Sequence, residues 1–387
     1  MSKKRLLFVC AVFAIVASLC PAQLAWTRAI ETAPWSARTN VGGAVFKGEL
    51  WLLGGVSGVN HLADVWRSAD GATWTKVADS IWPGRQEFGC EVYNDRLWVI
   101  GGWANTARQD IWYSTNGSDW QLATSSPAWS ARSGFSTVVF NNRLHIIGGF
   151  DARNVYLDEI WHSDDGIAWT KVTTPTPWRG RHRHASVVYD GKLWVIGGLA
   201  DDRNLGDVWY CDADYNWVKA TDSAPWPHRW SSRAVVFDNH IWLVGGYSQS
   251  AGHCKDVWRT SNGTDWTRIE PAAPWVARDG HVAVVLNNRV WVYSGRSQRD
   301  VWYTSGAAVA EPYLPSSSAR PFSLPAVVRG TLRITQAAGE LLDASGRTVL
   351  RLAQGENNVR GIPAGIYFVR LSGGACGTQT HKVLVQN

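Results

Sequence analysis

Apolar runs such as Leu97-Trp98-Val99-Ile100 stop at a glycine pair, and the pairs recur at 54–55, 101–102, 148–149, 197–198 and 245–246, with a variant at Ser294-Gly295. Their spacing of 47 to 49 residues is a repeat period, and each apolar run is the second strand of one repeat. A third strand follows with an Asp-Val-Trp or Asp-Ile-Trp element around Trp66, Trp112, Trp209, Trp258 and Trp302, and Glu159-Ile160-Trp161 is its variant. Eight residues further on, five of the six repeats place another tryptophan, at Trp74, Trp120, Trp169, Trp217 and Trp266. Between these runs lie pairs that tolerate positive φ. Asn141-Asn142, Asp190-Gly191, Asp238-Asn239 and Asn287-Asn288 join strand one to strand two, and Asp70-Gly71, Asn116-Gly117, Asp165-Gly166 and Asn262-Gly263 join strand three to strand four. Asn116 and Asn262 also complete glycosylation sequons, but their shared turn position is explained by turn chemistry.

Each period therefore predicts a four-stranded antiparallel meander, the length and form of one propeller blade. Six periods predict an all-β, six-bladed β-propeller over residues 23–305. The sixth repeat stops at Tyr303-Thr304-Ser305 without a fourth strand. Trp26-Thr27-Arg28, with Pro34-Trp35 and Arg38 behind it, matches Trp74-Thr75-Lys76, Trp82 and Arg85 in kind and order. The first strand is thus expected to close the ring and cover two edges at once.

The chain ends differ in character from this body. Lys3, Lys4 and Arg5 precede an apolar stretch from Leu6 to Leu19, then Cys20-Pro21-Ala22, which reads as a signal peptide over 1–22. The stretch is shorter than the roughly 20 apolar residues that span a bilayer, so no transmembrane segment is expected in the mature chain. Residues 306–330, rich in Ala, Pro and Ser, read as a linker. Short alternating strands follow over 331–387, expected to form a small Ig-like β-sandwich.

Charge narrows the function. The chain carries +6, yet residues 23–330 hold 29 basic and 29 acidic groups, which gives no electrostatic case for nucleic acid. Outside the signal stretch, Cys90, Cys211, Cys254 and Cys376 lack metal-ligand spacing, although one disulfide is possible in an oxidising compartment. Neither a metal site nor a cofactor is expected.

The glycine-pair strand followed by spaced aromatics resembles the kelch repeat family over roughly residues 24–305, with a Trp pair eight apart where kelch blades commonly show Tyr then Trp. Ser68-Asp70-Gly71-Trp74 is similar to a shortened sialidase Asp-box. In the tail, Gly339 to Arg347, Ile362 to Val369 and Lys382 to Val385 resemble the C-terminal sorting domain of the bacterial type IX secretion system, without its usual Pro-Asn-Pro start. That resemblance implies the secretion machinery as a partner, and a secreted or cell-surface location in a Gram-negative bacterium. An accessory sandwich without a sorting role is the alternative.

No nucleophile elbow, P-loop, dinucleotide fingerprint or His-Glu-x-x-His motif is present. Arg38, Arg85, Arg132, Arg181, Arg229 and Arg278 recur once per repeat at one register, which marks scaffold and not a catalytic arginine triad. The His182/His184 pair is expected on one side of a strand and Arg181/Arg183 on the other. Directly after the constant arginine comes a varied position: Thr39, Gln86, Ser133, His182, Trp230, Asp279. Of 25 tryptophans, only Trp103 and Trp230 stand outside four recurring registers, in loops expected on one face. The candidate ligand-binding residues are Trp103, Trp230, His182, Gln86, Glu87, Asp279, Asp201 and Asp202. They fit a propeller that binds a glycan or a protein, or alternatively a secreted carbohydrate-active enzyme, sialidase-like or another glycoside hydrolase, on the same face.

Overall fold

A computed structural model of the chain describes residues 25–304 and, with interruptions, 327–386. The expected signal peptide and most of the expected linker lie outside the described residues. The described residues form strands and turns, with no helix long and apolar enough to cross a membrane.

Six four-stranded antiparallel sheets follow one another along the first unit. Five of them take their strands in simple sequence order, starting at Gly42–Phe46, Gly89–Tyr93, Ser136–Phe140, Ala185–Tyr189 and Arg233–Phe237. The sixth consists of Val282–Leu286, Arg289–Tyr293 and Val301–Thr304, with Trp26–Ile30 as its outer strand. Trp26 pairs with Thr304, and the pairing slips between Arg28 and Ile30. The first, second, fourth and fifth sheets slip at the same place, between their third and fourth strands, as at Val65/Trp66 and Ile111/Trp112. The strand from the start of the chain thus reproduces even the bulge of a fourth strand.

Why the tryptophans recur is visible in the packing. Trp35, Trp82, Trp129, Trp178, Trp226 and Trp275, ahead of each first strand, are buried. Each meets the fourth-strand tryptophan of its own sheet edge to face, the geometry that the ring quadrupoles favour. Trp26 supplies that partner for Trp275, with centroids 4.2 Å apart and planes at 89°.

Second-strand tryptophans join neighbouring sheets. A Cβ on Gly117 would lie 2.1 Å from the Trp51 ring, so the Asn116-Gly117 turn needs glycine both for its φ of +82° and for the indole above it. Trp98 and Trp194 cover Gly166 and Gly263 in the same way, and Trp291 of the sixth sheet covers Gly71 of the first. In the third sheet the equivalent position is His145, and the fourth-sheet turn beside it carries Tyr215, whose hydroxyl lies 2.8 Å from His145 Nε2. The one lost indole is thus met by a matching change in the adjacent turn.

The Asp-box-like strings are turn locks. Asp70 accepts from the Ala72 and Thr73 amides, Ser68 Oγ accepts from Gly71 N, and Trp74 Nε1 donates to Gly71 O. The string at Ser114, Asn116, Gly117 and Trp120 repeats these bonds.

In the second unit, a five-stranded sheet and a two-stranded one share a core of Leu332, Leu341, Leu352, Val359, Tyr367, Val369 and Val385. Strand Val327–Arg329, inside the stretch whose composition reads as linker, pairs parallel with the last strand, Gln379–Gln386. Cys90, Cys211 and Cys254 are free thiols, and Cys376 lies outside the described residues.

Candidate functional site

The recurring arginines are fully used by the frame. Arg181 donates to Gly197 O and to both carboxylate oxygens of Asp207, while Trp209 Nε1 donates to the same carboxylate. Burial raises the Asp207 pKa, but the Arg181 bonds and charge outweigh it and leave the group below its ordinary value. Arg38 with Asp64, Arg85 with Asp110, Arg132 with Glu159, Arg229 with Asp256 and Arg278 with Asp300 repeat the pairing. All six arginine side chains are buried. None is free for a ligand.

Two residues beyond each arginine the chain turns through positive φ, at Asn40, Glu87, Gly134, Arg183, Ser231 and Gly280. Their peptides are linked from sheet to sheet. Glu87 N donates to Asn40 O, Gly134 N to Glu87 O, Arg183 N to Gly134 O, Ser231 N to Arg183 O, Gly280 N to Ser231 O, and Val41 N to Gly280 O. Below this belt, the first strands of all six sheets line a cavity of about 550 Å³.

Side chains on the belt reach across it. Arg183 of the fourth sheet makes an ion pair with Glu87 of the second, passing over Gly134 of the third, where a Cβ would stand 3.2 Å from Arg183 Cγ and 3.4 Å from Glu87 Oε2. Asn40 Nδ2 donates to Gln86 Oε1 at 2.9 Å and to Glu87 Oε1 at 3.3 Å. On the other side, the Arg183 guanidinium lies 4.6 Å from the Trp230 ring centroid, a cation–π contact. Gln86, Glu87 and Trp230 are thereby brought into one network around the mouth of the cavity.

The loops from strand two to three and from strand four to the next strand one do open on one face, since they bond to each other. Gln86 and Trp103 exchange both backbone bonds, as do Trp230 and Tyr247, His182 and Leu199, and Thr39 and Val56. Trp103 therefore belongs to a fifth repeated position, the residue directly after the glycine pair, with Val56, Phe150, Leu199 and Tyr247. Each of these five is half-buried. A count of tryptophans alone passes over this register, although it is visible as an apolar residue after five of the six glycine pairs.

The remaining expected residues divide. His182 packs on Phe150 and Tyr156, with centroids 5.3 and 5.2 Å away, and burial with the Arg183 charge lowers its pKa to about 3. Asp202 accepts from Tyr156 Oη at 3.1 Å beside it. Asp279 lies 2.9 Å from His253 Nδ1, and His253 in turn meets Tyr247 edge to face. Asp201 stands apart, exposed and paired with Arg179. The expected alternation of Arg181-His182-Arg183-His184 is not that of a regular strand. Arg183 at φ +52° breaks it, and the first strand begins only at Ala185. His182 and His184 both face the third sheet, His184 through Ser136 Oγ at 2.8 Å, while Arg181 turns into its own sheet and Arg183 over the cavity.

Residues 90–295 match the family model of the KLHDC2/KLHL20/DRC7 Kelch-repeats domain. The chain belongs to the Kelch-repeat family. Among solved structures, that of YjhT superposes with a TM-score of 0.58 at 17% identity, over 70% of this chain and 95% of that one, a likeness of fold. No curated protein matches the sequence. In Kelch terms the glycine pairs, paired arginines and packed tryptophans are the frame, and the belt with its loops is where this propeller differs from sheet to sheet.

Proposed function

We propose that the six sheets are the six blades of one ring, closed by Trp26–Ile30, and that this Kelch propeller is a secreted or surface-associated protein binding a glycan on the loop-bearing face. The observation that carries the reading is the run of rings on that face, half-buried except for the buried His182 and interleaved with polar tips. It comprises Phe150, Tyr156 and His182, then Trp230, Tyr247 and His253. Rings of this kind offer stacking surface for the apolar faces of sugars, and Asp202, Asp279 and Arg183 supply hydrogen-bonding groups at their edge. A protein ligand would use the same rings as anchors.

A glycan array probed with the full mature chain, with a parallel assay for released sugar, tests this reading. Binding without release is expected. Absence of any glycan binding, with capture of a protein partner that Trp230→Ala abolishes, would move the reading to a protein ligand. The second reading, a glycoside hydrolase on this face, draws on the Asp279–His253 contact, an arrangement able to pass a proton. Sugar release lost in Asp279→Asn would favour it. Residues 331–387 are read as an Ig-like sorting domain for type IX secretion, and removing them should leave a folded propeller retained in the periplasm of its host.

A further inference from the structure

Arg233 begins the first strand of the fifth sheet, where the other first strands carry Gly42, Gly89, Ser136, Ala185 and Val282. Its side chain reaches past the sixth sheet to the first. Nε donates to His281 O at 2.6 Å in the sixth sheet, and one terminal nitrogen donates to Val41 O at 3.2 Å in the first. Both acceptors are neutral carbonyls, and among the described residues no carboxylate forms an ion pair with Arg233. The frame arginines make the contrast plain, because each of them has an acid of its own sheet. A guanidinium keeps its charge at any physiological pH, and two carbonyl bonds leave three of its five N–H groups for another acceptor.

Neither titratable group that acts on Arg233 is a counter-charge. Cys90 and Tyr293 are the titratable groups that act on Arg233, and burial pushes both pKa values up, so both are neutral near pH 7. Glu91, on the second sheet's first strand, is raised to about 7 by burial, and its Oε1 accepts from Val92 N. Further along the same strands, the cavity wall includes Val45, Val92, Val139, Val188, Val236 and Val285, one valine from every sheet. Of the two arginines that line the cavity, Arg183 is paired with Glu87 and Arg233 has no ion-pair partner, an arrangement that favours binding an anion over leaving the charge unpaired.

We infer that the central cavity, below the rings of the loop-bearing face, is a second binding site for a small aliphatic carboxylic acid whose carboxylate meets Arg233 and whose hydrocarbon body lies along the valines. A bidentate pair with the guanidinium sets the polar end, since carboxylate and guanidinium match in geometry. The valines reward an apolar tail over a hydrated inorganic ion.

Calorimetric titration of the intact protein with hexanoate, hexanamide and inorganic phosphate tests the inference, with melting temperature as a second readout. Hexanoate should bind and raise the melting temperature, whereas hexanamide and phosphate should bind at least tenfold more weakly. Arg233→Gln should lose the hexanoate signal, and Arg233→Lys should keep part of it. Equal binding of hexanoate and hexanamide, phosphate binding in preference to hexanoate, or no hexanoate binding to the wild-type protein would each overturn the assignment. The comparison of acid with amide needs no variant and decides the matter even if Arg233→Gln does not fold.

Discussion

The two ends of the inner strands obey different rules. Toward the hairpins that join strand one to strand two, all six sheets place valine at one position. At the belt, the six equivalent positions hold Asn, Glu, Gly, Arg, Ser and Gly, although their φ angles fall between 50° and 61°. The belt backbone is therefore as uniform as the valine end, and only its side chains are free to differ. Glu87, Arg183 and Ser231 hold a left-handed conformation that costs an L-residue about 1–2 kcal/mol. Shape alone favours glycine there, so the larger side chains point to a role at the mouth that offsets the strain.

The comparison is broken most severely by removing what the frame shares. Deleting residues 23–35 should leave the sixth sheet with a bare edge on Val301–Thr304 and abolish the single cooperative transition, seen as aggregation or loss of a melting transition in calorimetry. A truncated protein that melts like the parent would refute closure by this strand.

Single frame residues come next. Arg85→Ala leaves Asp110 without its guanidinium and should cost about 3–5 kcal/mol in denaturant unfolding. Trp98→Ala, at a fully buried indole, should cost a similar amount, about 3–5 kcal/mol.

Acid acts on the frame through its buried histidines. Burial lowers the pKa of His145 to about 4 and those of His182 and His184 to about 3. The unfolded chain takes up these protons near pH 6.5 and the folded one does not, so stability should fall as pH drops from about 6.5 toward 4. Glu91, raised to about 7, works in the opposite direction and offsets part of the loss. The melting temperature should drop by several degrees across that window, and His145→Gln should flatten the slope. A melting temperature that does not change between pH 6.5 and 4 would contradict the buried neutral histidines.

The smallest stability effects belong to the loop face. Trp103→Ala and Trp230→Ala remove half-buried rings and should shift unfolding by about 1 kcal/mol or less, well under Trp98→Ala, while weakening glycan binding tenfold or more. Losses of several kcal/mol from either would place these rings in the frame.

Much of the fold was legible because one backbone and packing requirement returns six times. A glycine under an indole, an arginine between a carbonyl and an acid, and a tryptophan edge on its neighbour each leave a periodic trace. The site left a fainter one. Arg183 finds Glu87 at a separation of 96 residues, and no local spacing encodes a contact across three sheets. The positive φ at Arg183 also defeats the alternation by which a strand assigns its sides. Arg233 carries a signal that could have been found, a charge at a strand position otherwise filled by Gly, Ser, Ala and Val. What the sequence does not reveal is whether such a charge is answered by a carboxylate from elsewhere, since that depends on which side chains meet inside the cavity.

The pairing of Trp26 with Thr304 also bears on the order in which the molecule can assemble. Among the described strands of the first unit, the first along the chain pairs with the last, and joining ends so far apart costs roughly 5 kcal/mol in chain entropy by the logarithmic rule for flexible loops. That cost shrinks once the intervening sheets have stacked, because they bring the two ends to neighbouring places. Closure is thus expected as the final, slowest event of folding, the step most exposed to rival partners, and a chaperone or a second unfinished chain would find its opening there.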